Sequence, residues 1–371
     1  MEVFRRLCAG ATPIWTVKAD AYGHGATLVA GEIAKSLSRR PLGSARGSSR
    51  RARGEWFGVD SLDEAIELRH GGIRAPIIVL GWVPYPRLAE LKRHDLRLLV
   101  SSEKTVAELR KRRLKLRVHL KIDTGATRQG VLPGRVLPLA RQIRAAGLIL
   151  EGCATHFANI EDVDNPVYGD LQIERFIACV EELKAAGFAM PIIHAACSAA
   201  AMTRPESVFT ACRIGIGLYG LNPSKLVAKS YRRAHAGQAL KPVLSWRSRV
   251  ALVKKVPAGT PVGYGLTEKT RRPAYIAIVP VGYSDGYDRS LSSKGSVLIR
   301  GKRCRVMGRV CMNMIIVDAT PARGASENDV VTLIGSDGNA SVTADELADA
   351  AGTINYEIVS RIAEREPRFL S

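Results

Sequence analysis

The chain has 371 residues, of which 46% are hydrophobic and 24% are charged, and its formal net charge is +20. These proportions are ordinary for a globular protein, and no run of about 18 apolar residues occurs that could span a membrane. The length suits one large domain with a smaller one, or two ordinary domains.

Positive charge is concentrated in part between residues 38 and 54, where arginines are interspersed with Ser and Gly. No zinc finger, aromatic RNA-binding motif or long basic helix accompanies these arginines, so we expect non-specific attraction to polyanions and no specific nucleic-acid partner. The segment is of low complexity and has no apolar period. We predict that it is an inserted, disordered loop.

The first residues contain no apolar stretch that could serve as a secretory signal, which predicts a cytoplasmic location. The seven cysteines are scattered and form no CxxC pair. In a cytoplasmic protein of this size we therefore expect buried thiols, not a disulfide frame or a zinc site, and we predict no bound metal.

Short β-rich runs alternate with helical patterns through the first two-thirds of the chain. One helical pattern, SLDEAIELRHGG, begins with Ser and an acidic first turn and ends on Gly. Eight such alternations in about 220 residues predict a (β/α)8 barrel over residues 1–236, of the α/β class. The candidate strands are residues 14–17, 56–59, 77–80, 96–100, 117–122, 149–155, 191–195 and 212–216. The 38–54 insert would lie between the first helix and the second strand, at the N-terminal face of the barrel.

The pattern changes from about Val243 onward. Runs such as AYIAIVPVGY, SVLIRGKRCRVMGRV and DVVTLIG are strands joined by Gly, Pro and Asp turns, and a short helix-rich tail follows. We therefore predict a second, mostly antiparallel β domain over residues 237–371.

Several polar residues fall at or just after the C-terminal ends of the predicted barrel strands, where barrel enzymes carry out their chemistry. Each has an ordinary explanation when taken singly, as a solvated lysine, a packed histidine or a turn. Five at one rim are harder to dismiss: Lys18, Arg128, His156, Ser198 and Arg213. A lysine whose pKa is lowered by burial is a Schiff-base nucleophile, and Gly215–Gly217 after strand 8 could hold a phosphate. Together they suggest pyridoxal phosphate (PLP).

At this point the sequence resembles the alanine racemase family over almost its whole length. The motifs that carry the resemblance occur in order and at the family's spacings: VKADAYGHGA, KIDTGATRQGV, THFANIED, HAACSAAA, RIGIGLYG, VGYGLTEKT, IVPVGYSDGYDR, GRVCMNM and GTINYEIVSRI. The resemblance implies a PLP-dependent enzyme with a barrel and a β domain, active as a homodimer, that interconverts L- and D-alanine and supplies D-alanine for peptidoglycan.

The resemblance also implies roles for individual residues. Lys18 would hold the cofactor as an internal aldimine and act as the base on one face of the substrate Cα, and Tyr264 of the partner subunit would act on the other face. Arg128 and the backbone amide of Met312 would bind the substrate carboxylate, and Tyr283 would line the entrance. Arg213 would contact the pyridine nitrogen and His156 the ring. The phosphate would be held by Tyr22, Ser198, Gly215, Ile216 and Tyr356.

These roles make chemical sense. Racemisation removes a proton from one face of Cα and returns one to the other, which two opposed bases achieve without moving the substrate. Tyrosine, with an ordinary pKa near 10, needs help to act as a base, which Arg213 could supply through His156. Because arginine only donates, it would keep the pyridine nitrogen unprotonated and discourage transamination and decarboxylation. Related barrel decarboxylases place a carboxylate there, so Arg213 distinguishes the two classes.

Four features depart from the family pattern. Only 17 residues precede Lys18, about half the usual number, which suggests a late start or a truncation. Asn313 replaces an aspartate, Cys197 replaces an asparagine, and TGATRQG replaces TGMGRLG around Arg128. Lys121 matches a lysine that some members carry as a carbamate.

Three alternatives remain open from the sequence. The enzyme could racemise serine or a broader range of amino acids, since no motif measures pocket volume. It could be a non-catalytic PLP-binding protein built on the barrel, against which the complete β domain with Tyr264 argues. It could also be a truncated, weakly active relative.

Overall fold

The computed structural model describes residues 1–8, 10–38 and 54–370. They form two compact units: Met1–Ala21 with Ala26–Pro242, and Tyr22–Gly25 with Val243–Ser371. The sequence analysis placed the domain boundary between residues 236 and 237, in the segment that follows the last barrel helix. Most of the predicted insert, residues 39–53, lies outside the described residues.

The first unit is a closed barrel of eight parallel strands in sequential order, in which β8 pairs with β1. The predicted barrel is confirmed, and its strands agree with the predicted ones to within two residues at each end. The strands are β1 (Thr12–Thr16), β2 (Trp56–Val59), β3 (Ile77–Val79), β4 (Leu96–Val100), β5 (Arg117–Lys121), β6 (Ile149–Ala154), β7 (Ile192–His194) and β8 (Ala211–Ile214).

A helix follows each barrel strand, because every parallel pair needs a crossover connection. The SLDEAIELRHGG pattern forms one of these helices, in which the Ser61 side chain accepts from the Glu64 amide and Glu64 completes a capping box. The helices of this unit are α1 (Glu2–Leu7), the short turn α2 (Lys18–Gly23), α3 (Ala26–Ser38), α4 (Leu62–His70), α5 (Leu88–Arg93), α6 (Glu103–Lys111), α7 (Val136–Ala145), α8 (Val167–Ala185), α9 (Ser198–Thr203) and α10 (Lys225–Ala234).

The interior of the barrel is only partly apolar. One layer is a cluster of buried side chains that includes Ile14, Ile78 and Leu99. Side chains alternate along a strand, so Arg117, His119 and Lys121 of β5 form one row, and His119 and Lys121 are buried. Barrel interiors are ordinarily filled by branched apolar residues, so this polar row is an exception.

The second unit is mostly antiparallel, as predicted. One three-stranded sheet has the order β10-β13-β16, a second sheet contains β15-β14-β17-β18 with β9 paired to β17, and β11 and β12 form a small pair. The strands are β9 (Trp246–Arg249), β10 (Leu252–Val256), β11 (Pro261–Val262), β12 (Glu268–Lys269), β13 (Ala274–Val279), β14 (Ser296–Ile299), β15 (Lys302–Arg305), β16 (Ile315–Asp318), β17 (Val330–Asp337) and β18 (Ala340–Val342).

The tail of the second unit is helical, with α11 (Ala344–Ala351) and α12 (Asn355–Ser360). Helix α11 is capped by Thr343, whose hydroxyl accepts from the Glu346 amide, and it ends at Gly352 in the left-handed conformation. No helix in the described parts of the chain has the length and apolar character required to cross a membrane.

The prediction that all seven cysteines are thiols is wrong for two of them. Cys8, at the end of α1, and Cys212, in β8, form a disulfide between positions 204 residues apart. Both side chains are buried, so the bond attaches α1 to the wall of the barrel. Nothing in the spacing of the cysteines indicated this pairing, because the two positions meet only when the barrel closes.

Candidate active site

Lys18 directly follows β1, as predicted, but it is not buried. Its side chain is 40% exposed, and its Nζ lies 3.5 Å from Asp60 Oδ1, in the turn after β2. The lysine is thus less buried than the partly dry barrel mouth that the sequence predicts. The amine is instead held at the rim by a neighbouring carboxylate and is open to approach.

The backbone after Lys18 takes an unusual path. Ala19, Asp20, Ala21 and Tyr22 all have φ between 49° and 56°, so α2 is a left-handed turn. Each such residue costs roughly 1–2 kcal/mol. The turn is stabilised by hydrogen bonds, since the Ala19 amide donates to Glu64 Oε1 at 2.7 Å and the Asp20 carboxylate accepts from the Ala26 amide at 2.7 Å. Strained backbone segments cluster at functional sites, which agrees with the role that the resemblance implies for Lys18.

Arg213 is buried at the C-terminal end of β8 and is held by its own unit. Its NH1 donates to His194 Nδ1 at 2.7 Å and to the His194 carbonyl at 2.8 Å. Its NH2 donates to the carbonyls of Thr155 and Ala195 and lies 3.3 Å from His156 Nδ1. Burial lowers the pKa of Arg213 to about 10, which leaves the guanidinium charged near neutral pH.

The charge of Arg213 controls its neighbours. Burial and then the Arg213 charge hold the pKa of His156 well below its usual value, so this imidazole is neutral. Burial, Arg213 and Arg128 likewise hold the pKa of Lys121 well below its usual value, which favours the neutral amine. Arg213 therefore keeps its positive charge next to a neutral His156 and a neutral Lys121.

The segment after β8 forms a small cradle with Ser198. The Ser198 hydroxyl accepts from the amides of Gly215 and Gly217 at 3.0 and 3.2 Å. A Cβ at position 217 would lie 2.2 Å from the Phe4 ring, so only glycine fits there. Ile216 begins a short 3-10 helix, Ile216–Tyr219. Burial raises the pKa of the adjacent Cys197 thiol.

Arg128 lies in a loop that is organised by one carboxylate. Asp123 Oδ1 accepts from the amides of Gly125, Ala126 and Thr127, and Oδ2 accepts from the Arg128 amide at 3.2 Å. Burial alone would raise the pKa of Asp123, but these amides outweigh it and hold the pKa below its usual value. Thr127, where the family pattern has glycine, has φ +50°.

The remaining predicted residues belong to the second unit. Tyr264 and Tyr283 line one cavity of about 310 Å³ together with Met312, Arg289 and Arg309. Tyr264 is 71% exposed. The rings of Tyr22 and Tyr356 form a separate pair with centroids 6.1 Å apart.

Asn313 lies beside Met312, and its Nδ2 donates to Ser284 Oγ at 2.8 Å. An amide can donate here where an aspartate could not. Its replacement of the family's aspartate is therefore accommodated by a local hydrogen bond.

The comparisons with known proteins agree with this geometry. Residues 1–223 match the alanine racemase N-terminal domain family and residues 243–370 match the alanine racemase C-terminal domain family. The chain belongs to the alanine racemase family. The predicted family and the predicted class of enzyme, an isomerase, are thereby confirmed.

Named relatives and solved structures cover nearly the whole chain. The alanine racemase of Carboxydothermus hydrogenoformans is 40% identical over 368 residues, 98% of this chain and 94% of the relative. That of Desulfosudis oleivorans is 39% identical over 95% of this chain and 88% of the relative. The structure of the Bacillus anthracis alanine racemase with bound L-Ala-P has a TM-score of 0.85 at 31% identity, covering 99% of this chain and 92% of that chain.

In the barrel unit, His156, Ser198 and Arg213 lie at or just after the C-terminal ends of β6, β7 and β8. Lys18 follows β1 at the same rim. The structure places the tyrosines and Met312 in the second unit. Sequence reasoning missed His194 and Asp123, although both lie within motifs that it quoted. For His194 the signal was a polar residue at the end of a buried strand, and its partners His119 and Arg213 lie in other strands of the barrel. For Asp123 it was a carboxylate two residues before a glycine in the loop that carries Arg128.

Proposed function

We propose that this alanine racemase family member interconverts L-alanine and D-alanine with PLP as cofactor, Lys18 and Tyr264 being the two bases. The observation that carries the proposal is the buried, charged Arg213 at the same barrel rim as Lys18. The names of the relatives support alanine as the substrate and do not favour the serine or broad-specificity alternative. We also propose, from the family, that the D-alanine supplies peptidoglycan and that the enzyme acts in the cytoplasm.

The residues present fit PLP. Among the described residues Arg213 uses NH1 and NH2 in hydrogen bonds but not Nε, so one N–H is available for a ring nitrogen. Ser198 and the Gly215–Gly217 backbone bring a hydroxyl and several amides into one turn, the groups that a phosphate prefers. The Gly215 and Gly217 amides donate to Ser198 Oγ, which leaves the hydroxyl proton to donate to a phosphate. Tyr22 and Tyr356 would add two phenols to the phosphate. When bound, PLP stabilises negative charge that develops at the substrate Cα.

Arg213 would determine which chemistry follows. A guanidinium donates and cannot accept, so it leaves a ring nitrogen unprotonated. Its carbonyl partners hold it from several directions, which prevents it from turning away. We infer that this weakens the electron withdrawal by the ring enough to favour return of the proton to Cα over transamination.

Lys18 and Tyr264 would exchange protons with opposite faces of Cα. Lys18 Nζ lies at the open rim, beside the Asp60 carboxylate, where it can both accept and donate a proton. Tyr264 is exposed in the second unit, and we propose that it enters the active site of a partner subunit in a homodimer. Because Nδ1 of a neutral His156 accepts from Arg213, its proton lies on Nε2, and this N–H would donate to the phenol oxygen of Tyr264.

Arg128 and the amide of Met312 would bind the substrate carboxylate, with Tyr283 at the entrance. Asp123 holds the backbone of the Arg128 loop from four amides, so the loop is shaped before substrate arrives. The neutral state that its surroundings favour for Lys121 is the form that reacts with CO2, which supports a carbamate there as in some members of the family.

The proposal is tested by borohydride reduction of the purified protein with PLP, followed by peptide mapping. We expect PLP to be fixed on Lys18 alone and alanine racemisation to be lost in parallel. Lys18→Ala should prevent both, whereas Lys35→Ala, in the exposed part of α3, should prevent neither. Fixation of PLP on another lysine, or full racemisation by Lys18→Ala, would contradict the assignment.

A further inference from the structure

A line of polar side chains crosses the interior of the barrel behind Arg213. His194 Nδ1 lies 2.7 Å from Arg213 NH1, and His194 Nε2 lies 2.8 Å from His119 Nδ1. His119 Nε2 faces the carboxylate of Glu151, 3.5 Å from Oε2. The line therefore connects a carboxylate in β6 with the guanidinium at the catalytic rim through two imidazoles.

The donors and acceptors along this line can be arranged in one way only. Because a guanidinium has no acceptor, His194 must accept at Nδ1 and carry its proton on Nε2. That proton is donated to His119 Nδ1, so His119 must carry its own proton on Nε2. This second N–H points towards Glu151, which completes a sequence with one direction, from Arg213 to the carboxylate.

The electrostatics keep both imidazoles neutral. Burial lowers the pKa of His194, and the Arg213 charge lowers it further. Burial also lowers the pKa of His119 and exceeds the opposing effect of Glu151. Burial opposes the ionisation of Glu151, but His119 and Arg97 outweigh it and hold the pKa below its usual value, so the carboxylate is charged.

Glu151 itself is fixed at the far end of the line. Arg97 Nε donates to Glu151 Oε2 at 3.3 Å, and Arg117 Nε lies 3.6 Å from Oε1. Both histidines are completely buried. Buried polar groups lower stability unless they are satisfied, and His119 Nε2 meets Glu151 only at an ion-pair distance without hydrogen-bond geometry, so a polar line of this kind requires a reason beyond packing.

We propose that His194 and His119, anchored by Glu151, are positioning residues that fix the orientation of Arg213. If His194 carried its proton on Nδ1, two N–H groups would face one another and NH1 would be displaced. The line excludes that tautomer, so Arg213 keeps its Nε–H direction. This inference rests on the proposed function for what Arg213 contacts, but its geometry does not.

Two nearly isosteric substitutions separate hydrogen bonding from packing. In His119→Asn the side-chain oxygen occupies the δ position and can still accept from His194, whereas His119→Leu fills a similar volume and cannot. His194→Asn and His194→Leu give the same contrast one step closer to Arg213. His235→Leu, at the end of α10, is the control for loss of a histidine elsewhere in the unit.

The first measurement is made on the cofactor-free protein labelled with 15N-histidine. We expect the imidazole nitrogen spectrum to show His194 and His119 neutral with the proton on Nε2, and their resonances to remain unchanged between pH 8 and pH 6. A His194 proton on Nδ1, or titration of either ring within this range, would overturn the proposal. This result does not depend on which reaction the enzyme catalyses.

The second measurement is alanine racemisation by the PLP-loaded variants. We expect His119→Leu and His194→Leu to lower kcat by about 10–100-fold with little change in KM, because Arg213 contacts no substrate. The Asn variants should keep kcat within a few-fold of the parent, as should His235→Leu. Equal activity of each Asn and Leu pair, whether both are normal or both are impaired, would overturn the positioning role. A parent protein that does not racemise alanine would refute the proposed function and leave the tautomer result intact.

Discussion

Arg213 and Tyr264 are held in opposite ways. Arg213 is 8% exposed and is fixed by contacts from its own barrel, whereas Tyr264 is 71% exposed and lies in a shallow cavity of the second unit. Groups of the barrel alone therefore fix the position of the Arg213 guanidinium. Most of the Tyr264 side chain is exposed, which leaves it free to contact a partner subunit in the proposed homodimer.

Replacing the exposed Tyr264 with Phe tests whether this tyrosine acts as one of the two bases. We expect α-proton exchange from one alanine enantiomer to fall by about 10²–10⁴-fold, with a much smaller loss from the other, because only one face of Cα loses its base. The measurement is deuterium incorporation into each enantiomer in D2O. Tyr275→Phe, another exposed tyrosine of the same unit, should change neither rate. Equal, mild losses for both enantiomers would make Tyr264 a bystander.

Acidification tests whether the buried histidines near Arg213 stay neutral in the folded protein. His119, His156 and His194 all have lowered pKa values in the folded protein, so they remain neutral while the unfolded chain takes up protons below about pH 6.5. The unfolded state then binds more protons, and the free energy of unfolding falls as pH decreases. We expect each histidine to contribute roughly 1.4 kcal/mol per pH unit at most.

Urea unfolding between pH 7.5 and pH 5 measures this slope. His119→Asn should reduce it, because one buried imidazole is gone, while His235→Asn should leave it unchanged. A slope that is the same in the parent protein and in His119→Asn would show that His119 takes up its proton in the folded state, contrary to the account.

The sequence could predict the positions of residues along the chain but not the contacts that tertiary packing creates. Strand alternation located the eight barrel strands, and a strand end is enough to place Lys18 or Arg213 at the rim. The hydrogen bonds to Arg213 could not be predicted, because His194 and Thr155 come close to it only once the barrel has closed. The left-handed turn after Lys18 was also missed, because Ala19 and Ala21 carry no signal for positive φ. The exposure of Lys18 depends on packing that no local pattern contains.

The smallest expected effect is a change in the free energy of unfolding on substitution in the Arg128 loop. Thr127 is β-branched at φ +50°, a conformation that costs such residues roughly 1–2 kcal/mol. Thr127→Gly should raise the free energy of unfolding by up to about 1 kcal/mol, after allowance for the greater freedom of glycine in the unfolded chain. Thr27→Gly, in the first turn of α3, should instead lower it by about 0.3 kcal/mol, because glycine is a poorer helix former than threonine. Destabilisation by both substitutions would show that the loop is not strained at Thr127.

The most direct test of the account is to mix two inactive variants. If Tyr264 completes the active site of a partner subunit, Lys18→Ala and Tyr264→Phe can exchange subunits to form a dimer with one doubly damaged site and one intact site. The account predicts recovered alanine racemisation, approaching about half the sites of the mixed dimers by that symmetry. Subunit exchange is verified separately with differently tagged chains. No recovery despite proven exchange would contradict the shared site and would place both bases in a single chain.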